Sequence, residues 1–374
     1  MRYVLCIIVL AMSWVQGAYA APRVPTHLQE VIAILPTKMT TPVVAQNLSL
    51  EQSLLQIQAL LVQAEKSGDP RYLGYAEAQL QPFINQSVVD DEVLLLRAKI
   101  YQFNHRFAQA QIDIAQVLQH QPTHPQALLL QASIYQVRAE FDLARQSCQR
   151  LRSFSTLSLA LICEAQVDSL NGKAAQSMQT MHTLLASVNR LEPSQQTWFY
   201  LGLGDVAMRQ GEFKQAETYY RRLDNNQPVV LAALADVLLA QKRYTEVSQY
   251  LRNYQQHDAL LLRFAIAQQA LNLPVNDLIN TLNARFAALR LRGDNSHLRE
   301  QAMFSLQLLH EPQQALLLAR DNWQQQREPQ DAQIYWSSAQ ATQAKNDLNI
   351  LKTWLQQTQL QDITFNTQTQ GASK

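Results

Sequence analysis

The chain has 374 residues, of which 47% are hydrophobic and only 16% are charged. Its 31 basic residues nearly balance its 30 acidic residues. This balance argues against nucleic acid and anionic lipid as partners, because both attract proteins that present a strongly basic surface.

The first 20 residues have the pattern of a secretory signal peptide. Arg2 precedes an apolar run, Tyr3 to Val15, and Ala18-Tyr19-Ala20 supplies the small residues of a cleavage site. The run is about 13 residues long, shorter than the roughly 20 residues of a spanning helix. We therefore predict cleavage after Ala20 rather than an uncleaved membrane anchor. Cleavage removes one arginine and no acidic residue, which leaves the mature chain formally neutral.

The ending Ala-Tyr-Ala and the abundance of glutamine favour bacterial export, so we predict a periplasmic protein. No later segment is apolar enough to span a membrane, so the mature chain is not expected to cross one. Residues 21–48 contain four prolines and little helical periodicity. We predict an extended N-terminal arm there, which could pack along the rest of the protein.

Helical patterns begin at residue 49 and continue to residue 357. Ser49 and Gln52 have the spacing of a capping box, and apolar residues follow them at helical intervals. The pattern repeats in pairs, with no alternation of the kind that predicts β-strands. We expect an all-α protein with about eight or nine helix pairs.

Two stretches of the chain are copies of each other at an offset of 34 residues. The matching pairs are Ala98 with Ala132, Tyr101 with Tyr135, Phe107 with Phe141, and Ala110 with Ala144. A third stretch carries a similar pattern with Gly204, Gly211, Phe213 and Ala216. A fixed period of this length predicts a helix–turn–helix unit that buries its apolar face against its neighbours.

The spacing of small and aromatic residues resembles the tetratricopeptide repeat (TPR). The resemblance is strong over 91–158 and 197–228, and extends more weakly over 49–357. It implies a right-handed α-solenoid in which small residues let two antiparallel helices approach closely. It also implies a protein that binds other proteins in a concave groove lined by the first helix of each unit.

The repeat register implied by this resemblance assigns candidate groove residues on three first helices. Phe103 and Trp198 are the candidate anchors, because aromatic residues often dominate interface energies. The predicted groove residues are Leu95, Lys99, Gln102 and Phe103 in the first strong unit, Leu129 and Gln136 in the second, and Trp198, Leu201, Asp205 and Arg209 in the third. Each could equally belong to the solenoid wall.

Two cysteines remain after signal removal. The repeat register puts Cys148 on the second helix of one unit and Cys163 on the first helix of the next, so the two helices pack together. Export to an oxidising compartment would favour a disulfide. The alternative is a pair of buried thiols that act as small hydrophobic residues. Beyond the repeats, residues 358–374 lack a periodic apolar face, and we predict a frayed, polar C-terminal tail.

No segment has the spacing of a nucleotide-binding loop, a nucleophile elbow or a zinc-binding helix. His120 and His124 come closest to a metal site, but Pro122 between them breaks the helix that would hold both on one face. The sequence therefore predicts no catalytic residue, no metal and no cofactor.

These observations predict an exported, non-catalytic scaffold that holds a segment of a protein partner during assembly or maturation of an envelope complex. The alternative is a self-associating structural subunit of a periplasmic complex, which would need an apolar face on a terminal helix pair. An enzyme, or a binder of glycans or small molecules, has weaker support. The sequence leaves the partner's identity and the oligomeric state open.

Overall fold

A computed structural model describes residues 49–67, 69–86, 88–152, 157–223, 226–293 and 297–366. The predicted signal peptide (1–20) and N-terminal arm (21–48) lie outside the described residues. None of the helices within these ranges is both long and apolar enough to cross a lipid bilayer.

The described residues form nineteen α-helices and no β-strand, and eighteen of the helices are arranged as nine consecutive pairs. The first five pairs are α1 (Leu50–Ser67) with α2 (Arg71–Ile84), α3 (Asp91–Phe103) with α4 (Phe107–His120), α5 (Pro125–Val137) with α6 (Phe141–Leu151), α7 (Leu157–Leu170) with α8 (Ala174–Leu184), and α9 (Pro193–Gln210) with α10 (Phe213–Tyr220). A 3-10 turn, Leu185–Arg190, separates the fourth pair from the fifth.

The last four pairs are α11 (Pro228–Ala240) with α12 (Tyr244–Leu251), α13 (Asp258–Ala270) with α14 (Asn276–Leu291), α15 (Leu298–Gln307) with α16 (Pro312–Gln325), and α17 (Pro329–Ala341) with α18 (Lys345–Thr358). The short helix α19 (Ile363–Asn366) follows them. The prediction of an all-α, TPR-like solenoid is confirmed.

The turns within the pairs share one backbone conformation. In eight of the nine pairs, a residue between the two helices has a positive φ, between 54° and 79°. These residues are His105, Ala139, Gly172, Gly211, Lys242, Asn272, His310 and Gln343. Only two of them are glycine, the residue type that most readily adopts a positive φ. In the other six pairs no glycine marks the turn in the sequence.

The first and second helices of the pairs are buried to different extents. Residues 93–96 of α3 and 260–265 of α13 are all buried, which means that these stretches of the two first helices are surrounded on every side. The second helices bury one stripe and expose the other, as in α6 and α18. The first helices therefore form the inside of the solenoid and the second helices its outer surface.

Small residues allow the two helices of a pair to approach closely, as the repeat pattern predicted. Gly204 on α9 faces the ring of Tyr220 on α10, and a Cβ atom added to Gly204 would lie 2.1 Å from Cε1 of that ring. Tyr220 is 2% exposed, so its ring has no room to move aside. Ala98 and Ala132, at the equivalent position of earlier pairs, are also buried.

Loops late in the chain rest on turns early in the chain. The N–H of Arg327, before α17, donates to the carbonyl of Val137 at the end of α5 (2.7 Å). The N–H of Ala174, the first residue of α8, donates to Oε1 of Gln361 after α18 (3.2 Å). Helix α1 also contacts α11, the first helix of the sixth pair. The solenoid thus completes a turn and stacks on itself.

We call this contact the inter-turn seam: the turns at 137–139 and 172–174 on one side, and residues 327–328 and 359–363 on the other. Two further sets of charged residues continue it toward the N-terminus. His105 lies within electrostatic reach of Arg299 and Glu328, and Asp69 within reach of His257.

The structure corrects the predicted polar tail over residues 358–366. This stretch folds back onto the solenoid, with Asp362 1% and Phe365 6% exposed. The apolar residues Leu360, Ile363 and Phe365 are too few for a helical periodicity, but they suffice to hold a short segment against an existing surface. Residues 367–374 lie outside the described part.

Cys148 on α6 and Cys163 on α7 form a disulfide bond, with an S–S distance of 2.00 Å. Both residues are fully buried. The bond connects the third pair to the fourth, across the helix contact expected from the repeat register.

The contact between Gly204 and Tyr220 leads to a first prediction. Gly204→Ala should lower the free energy of unfolding by about 2–3 kcal/mol, because the added methyl group overlaps a fixed ring. Gly74→Ala is the matched control, since nothing lies within 4 Å of its added Cβ. In the helix interior it should raise stability by about 0.5–1 kcal/mol. Urea unfolding would measure both, and equal effects of the two variants would contradict the close approach.

The disulfide leads to a second prediction. Closing a loop with a sequence separation of 15 should stabilise the wild type by about 3 kcal/mol in the chain-entropy account. A reductant should therefore shift the urea midpoint of the wild type but not that of a variant with both cysteines changed to alanine. A wild-type midpoint that is insensitive to reductant would mean that the cysteines are free thiols.

Candidate protein-binding surface

Seven of the predicted groove residues are partly accessible side chains of first helices, and their grouping in one groove stays a prediction. They sit on the first helices of the second, third and fifth pairs. We call them the inner patch: Lys99, Gln102, Phe103, Leu129, Gln136, Trp198 and Leu201. The patch combines apolar side chains with amide groups and has one potential charge, on Lys99.

The surroundings of Lys99 affect the pKa of its ammonium group and give it a hydrogen-bond partner. Burial lowers the pKa of its ammonium group, and the carboxylates of Glu92 and Glu65 oppose this effect. Nζ donates to Oε1 of Gln126 on the neighbouring first helix (3.3 Å). Lys99 thus has an internal hydrogen-bond partner, and the rest of the patch offers amide groups and apolar atoms.

Trp198 contributes to the wall as well as to the patch. Its side chain packs against the two largest core clusters, one centred on the third pair and one on the fifth. Its backbone carbonyl accepts a hydrogen bond from Nε2 of Gln166 on α7 (3.0 Å). The indole thus bridges neighbouring pairs, and only part of it remains available to a partner.

The predicted roles of Leu95 and Arg209 as groove contacts are wrong. Leu95 is 1% exposed and belongs to the core between α3, α4 and α5. Arg209 is 7% exposed, and its guanidinium donates to Oγ of Ser169 on α7 (2.9 Å). Leu95 is enclosed by helices of its own pair and of the next pair, and Arg209 contacts the first helix of the preceding pair.

Asp205 has an internal partner instead of an open position. Its Oδ1 accepts a hydrogen bond from the hydroxyl of Tyr220 (2.7 Å), the same ring that faces Gly204. Burial raises the pKa of Asp205 to about 6, because desolvation outweighs the opposing effects of Tyr220 and Arg209. The carboxyl is therefore part of a packed interior.

Further charged residues continue along the inner side as ion pairs between successive first helices. Arg263 on α13 makes two 2.7 Å hydrogen bonds to the carboxylate of Asp236 on α11. Arg299 on α15 lies 3.0 Å from Glu328 and 3.5 Å from Asp331, at the start of α17. We call these residues, together with Asp205 and Arg209, the inner charged row. The repeat register had identified Asp205 and Arg209 but not Asp236, Arg263 or Arg299, although the recurrence of charges on first helices was a usable signal.

An aromatic cleft of about 410 Å³ lies on the outer surface, between α16 and α18. It is lined by Trp323, Trp354, Arg327 and Ile350, with neutral polar residues at the rim. The rings of Trp323 and Trp354 pack edge to face, with centroids 5.0 Å apart. Sequence periodicity gave no sign of this cleft, because its two tryptophans lie on second helices.

No group of three or more His, Cys, Asp or Glu residues within the described ranges is arranged to hold a metal ion. His120 and His124 contact different acidic residues of α3: Nδ1 of His120 lies 2.9 Å from Asp91, and Nε2 of His124 lies 3.5 Å from Glu92. His120 therefore links the two helices of the second pair, and His124 links the second pair to the start of the third.

No family model matches the chain, and no curated protein matches it either. Several solved structures are similar in fold. The APC/C hetero-tetramer Cut9–Hcn1 aligns at 16% identity with a TM-score of 0.44, over 78% of this chain and 56% of that chain. This chain thus spans about half the length of that protein.

PilF of Pseudomonas aeruginosa aligns at 21% identity with a TM-score of 0.38, over 57% of this chain and 96% of that one. A tetratricopeptide repeat protein of Parabacteroides merdae aligns at 11% identity with a TM-score of 0.33, over 77% and 98% of the two chains. At these identities the likeness concerns the helical-repeat architecture alone.

The buried carboxyl of Asp205 leads to a third prediction. Its pKa rises from 3.8 to about 6 on folding, so the folded protein keeps a proton that the unfolded chain has lost. The stability that this proton provides is fully present below about pH 4 and is lost as the pH rises through about 6.

Asp205→Asn keeps an acceptor for Tyr220 but does not titrate. The stability of the wild type relative to this variant should therefore fall by on the order of 1–3 kcal/mol between about pH 4 and pH 7. Chemical unfolding across this range would measure it, with Asp142→Asn on the exposed surface as a control for the loss of an acidic residue. A difference that does not vary with pH would contradict the assignment.

Proposed function

We propose that this protein is an exported, non-catalytic scaffold that binds a segment of a protein partner at its inner patch, in the assembly or maturation of an envelope complex. The observation that carries the proposal is the set of partly accessible side chains on three first helices of one solenoid. Seven neighbouring residues of mixed apolar and amide character suit an extended or helical segment better than a small polar ligand.

The chemistry of the patch limits the kind of partner. Phe103, Leu129 and Leu201 offer apolar contacts, and Gln102 and Gln136 offer donors and acceptors to a peptide backbone. With Lys99 as the single potential charge, the patch has little to attract a strongly charged segment. A partner segment with apolar side chains and free backbone groups fits best.

Two features support export. The pattern of residues 1–20 is that of a signal peptide, and the buried disulfide between Cys148 and Cys163 is of a kind that persists in oxidising compartments. The proposal of a non-catalytic role has support from the charged groups. In the inner charged row, Arg263 and Arg299 pair with carboxylates, and Asp205 and Arg209 bond to Tyr220 and Ser169.

The proposal leads to a fourth prediction. Gln136→Arg places a long charged side chain within the inner patch and should lower capture of the partner at least tenfold in an in-cell crosslinking pulldown. Leu317→Arg is the matched control, because Leu317 is 53% exposed on the outer helix α16. It should leave capture unchanged. Trp198→Ala, checked by its helical content and melting temperature, should also weaken capture.

A partner captured equally by all of these variants would contradict binding at the inner patch. Loss with Leu317→Arg alone would point to the outer surface instead. Recovery of only the protein itself would replace the scaffold with the self-associating structural subunit.

A further inference from the structure

The segment 359–366, which we call the C-terminal strap, touches two turns that lie far from it in sequence. The chain leaves α18 through Gln359, which adopts a positive φ of 55° and so reverses its direction. The Cβ of Gln359 then lies on Gly172, within 2.9 Å of where a Cβ of that glycine would be. Ile363 lies on Gly211 in the same way, at 3.1 Å.

Glycine serves these two turns in a double role. Gly172 and Gly211 have φ values of 77° and 79°, which glycine adopts without strain. The absence of a side chain also lets the strap approach the backbone of both turns. At the other turns within helix pairs, the positive-φ residue carries a side chain, as at Ala139 and His310. The two glycines therefore coincide with the place where the strap binds.

A hydrogen bond completes the contact with the fourth pair. Ala174 is the first residue of α8, and the first N–H groups of a helix have no acceptor within it. Its N–H donates to Oε1 of Gln361 of the strap (3.2 Å). The strap thus caps this helix from a distance of 187 residues.

The strap is also fixed to the ninth pair. Asp362 is 1% exposed, and its carboxylate accepts hydrogen bonds from Nε2 of Gln333 and from the N–H of Thr364, each at 2.8 Å. The ring of Phe365 packs edge to face on Trp336, with centroids 5.6 Å apart. One segment therefore ties the last pair of the solenoid to the fourth and fifth.

The strap covers the end of the helix that carries part of the inner patch. Helix α19 contacts α9, on which Trp198, Leu201 and Arg209 lie. Burial lowers the pKa of Arg209, and the carboxylates of Asp205 and Asp362 oppose this effect. The strap therefore contributes both to the burial of Arg209 and to the charge that compensates it.

We propose that the ridge formed by Gly172, Ala174 and Gly211 is a peptide-binding surface whose occupant is the chain's own strap. Release of the strap uncovers the end of α9 and extends the inner patch to Arg209. This ridge suits a segment that presents an amide and, two residues later, an aliphatic side chain, as Gln361 and Ile363 do. The inference that the strap controls access of a partner to the inner patch rests on the proposed function.

Amide hydrogen exchange of the full-length protein, resolved to single residues, tests the strap. Ile363→Asp should release it, because a charged side chain cannot remain against the Gly211 turn without water. Exchange of the Ala174 amide should become about tenfold faster. The exchange rate of the Arg327 amide, which donates to Val137, should change less than about twofold, because α17 holds this residue independently.

Gln356→Asp, one turn before the strap on the exposed face of α18, is the matched control and should leave Ala174 unchanged. Gln361→Ala removes only the acceptor and should speed exchange at Ala174 with no loss of helical content. Unchanged exchange at Ala174 in Ile363→Asp would overturn the proposal. Equal acceleration at Ala174 and Arg327 would overturn it too, since the strap would not be a separate element.

Crosslinking of Ile363→Asp in cells separates this inference from the proposed function. Capture of the partner should increase at least threefold when the strap is released. Faster exchange at Ala174 with no increase in capture would overturn control of access. Strap binding would then stand, and capture by the wild type would decide the scaffold role on its own.

Discussion

The stacking of one turn of the solenoid on the next is the constraint on which the rest of the structure depends. Because Arg327 bonds to Val137 and Gln361 to Ala174, the early and late pairs are held edge to edge. A stacked solenoid leaves little space along its axis. The first helices are therefore enclosed over much of their length. The accessible part of the predicted groove is limited to the inner patch.

Enclosure of the first helices explains the arrangement of charges. A charge in such an interior is costly unless an opposite charge and hydrogen bonds accompany it. Arg263 meets Asp236, and Arg299 meets Glu328 and Asp331, each across the boundary between successive pairs. The inner charged row thus joins the sixth pair to the seventh and the eighth pair to the ninth.

The sequence predicted the repeated unit well, because the unit depends on local signals. These signals reflect contacts within one pair or between neighbouring pairs. They are the period of 34 residues, the small residue at position 204 and the apolar face of each helix. The seam could not be predicted in this way. Its contacts join residues about six pairs apart, and the turns that make them include Ala139, whose type gives no sign of a left-handed conformation. The order of residues 358–366 depends on such distant contacts and was missed for the same reason.

The distance across the seam tests the central claim most directly. Spin labels on cysteines introduced at the exposed positions 138 and 330 would lie beside the bond between Val137 and Arg327, and both native cysteines are buried and bonded. From the reach of the chain, stacked turns should give a single narrow distribution of distances below about 35 Å. An open solenoid, with a broad distribution centred beyond about 45 Å, would contradict the stacked structure and the burial that depends on it.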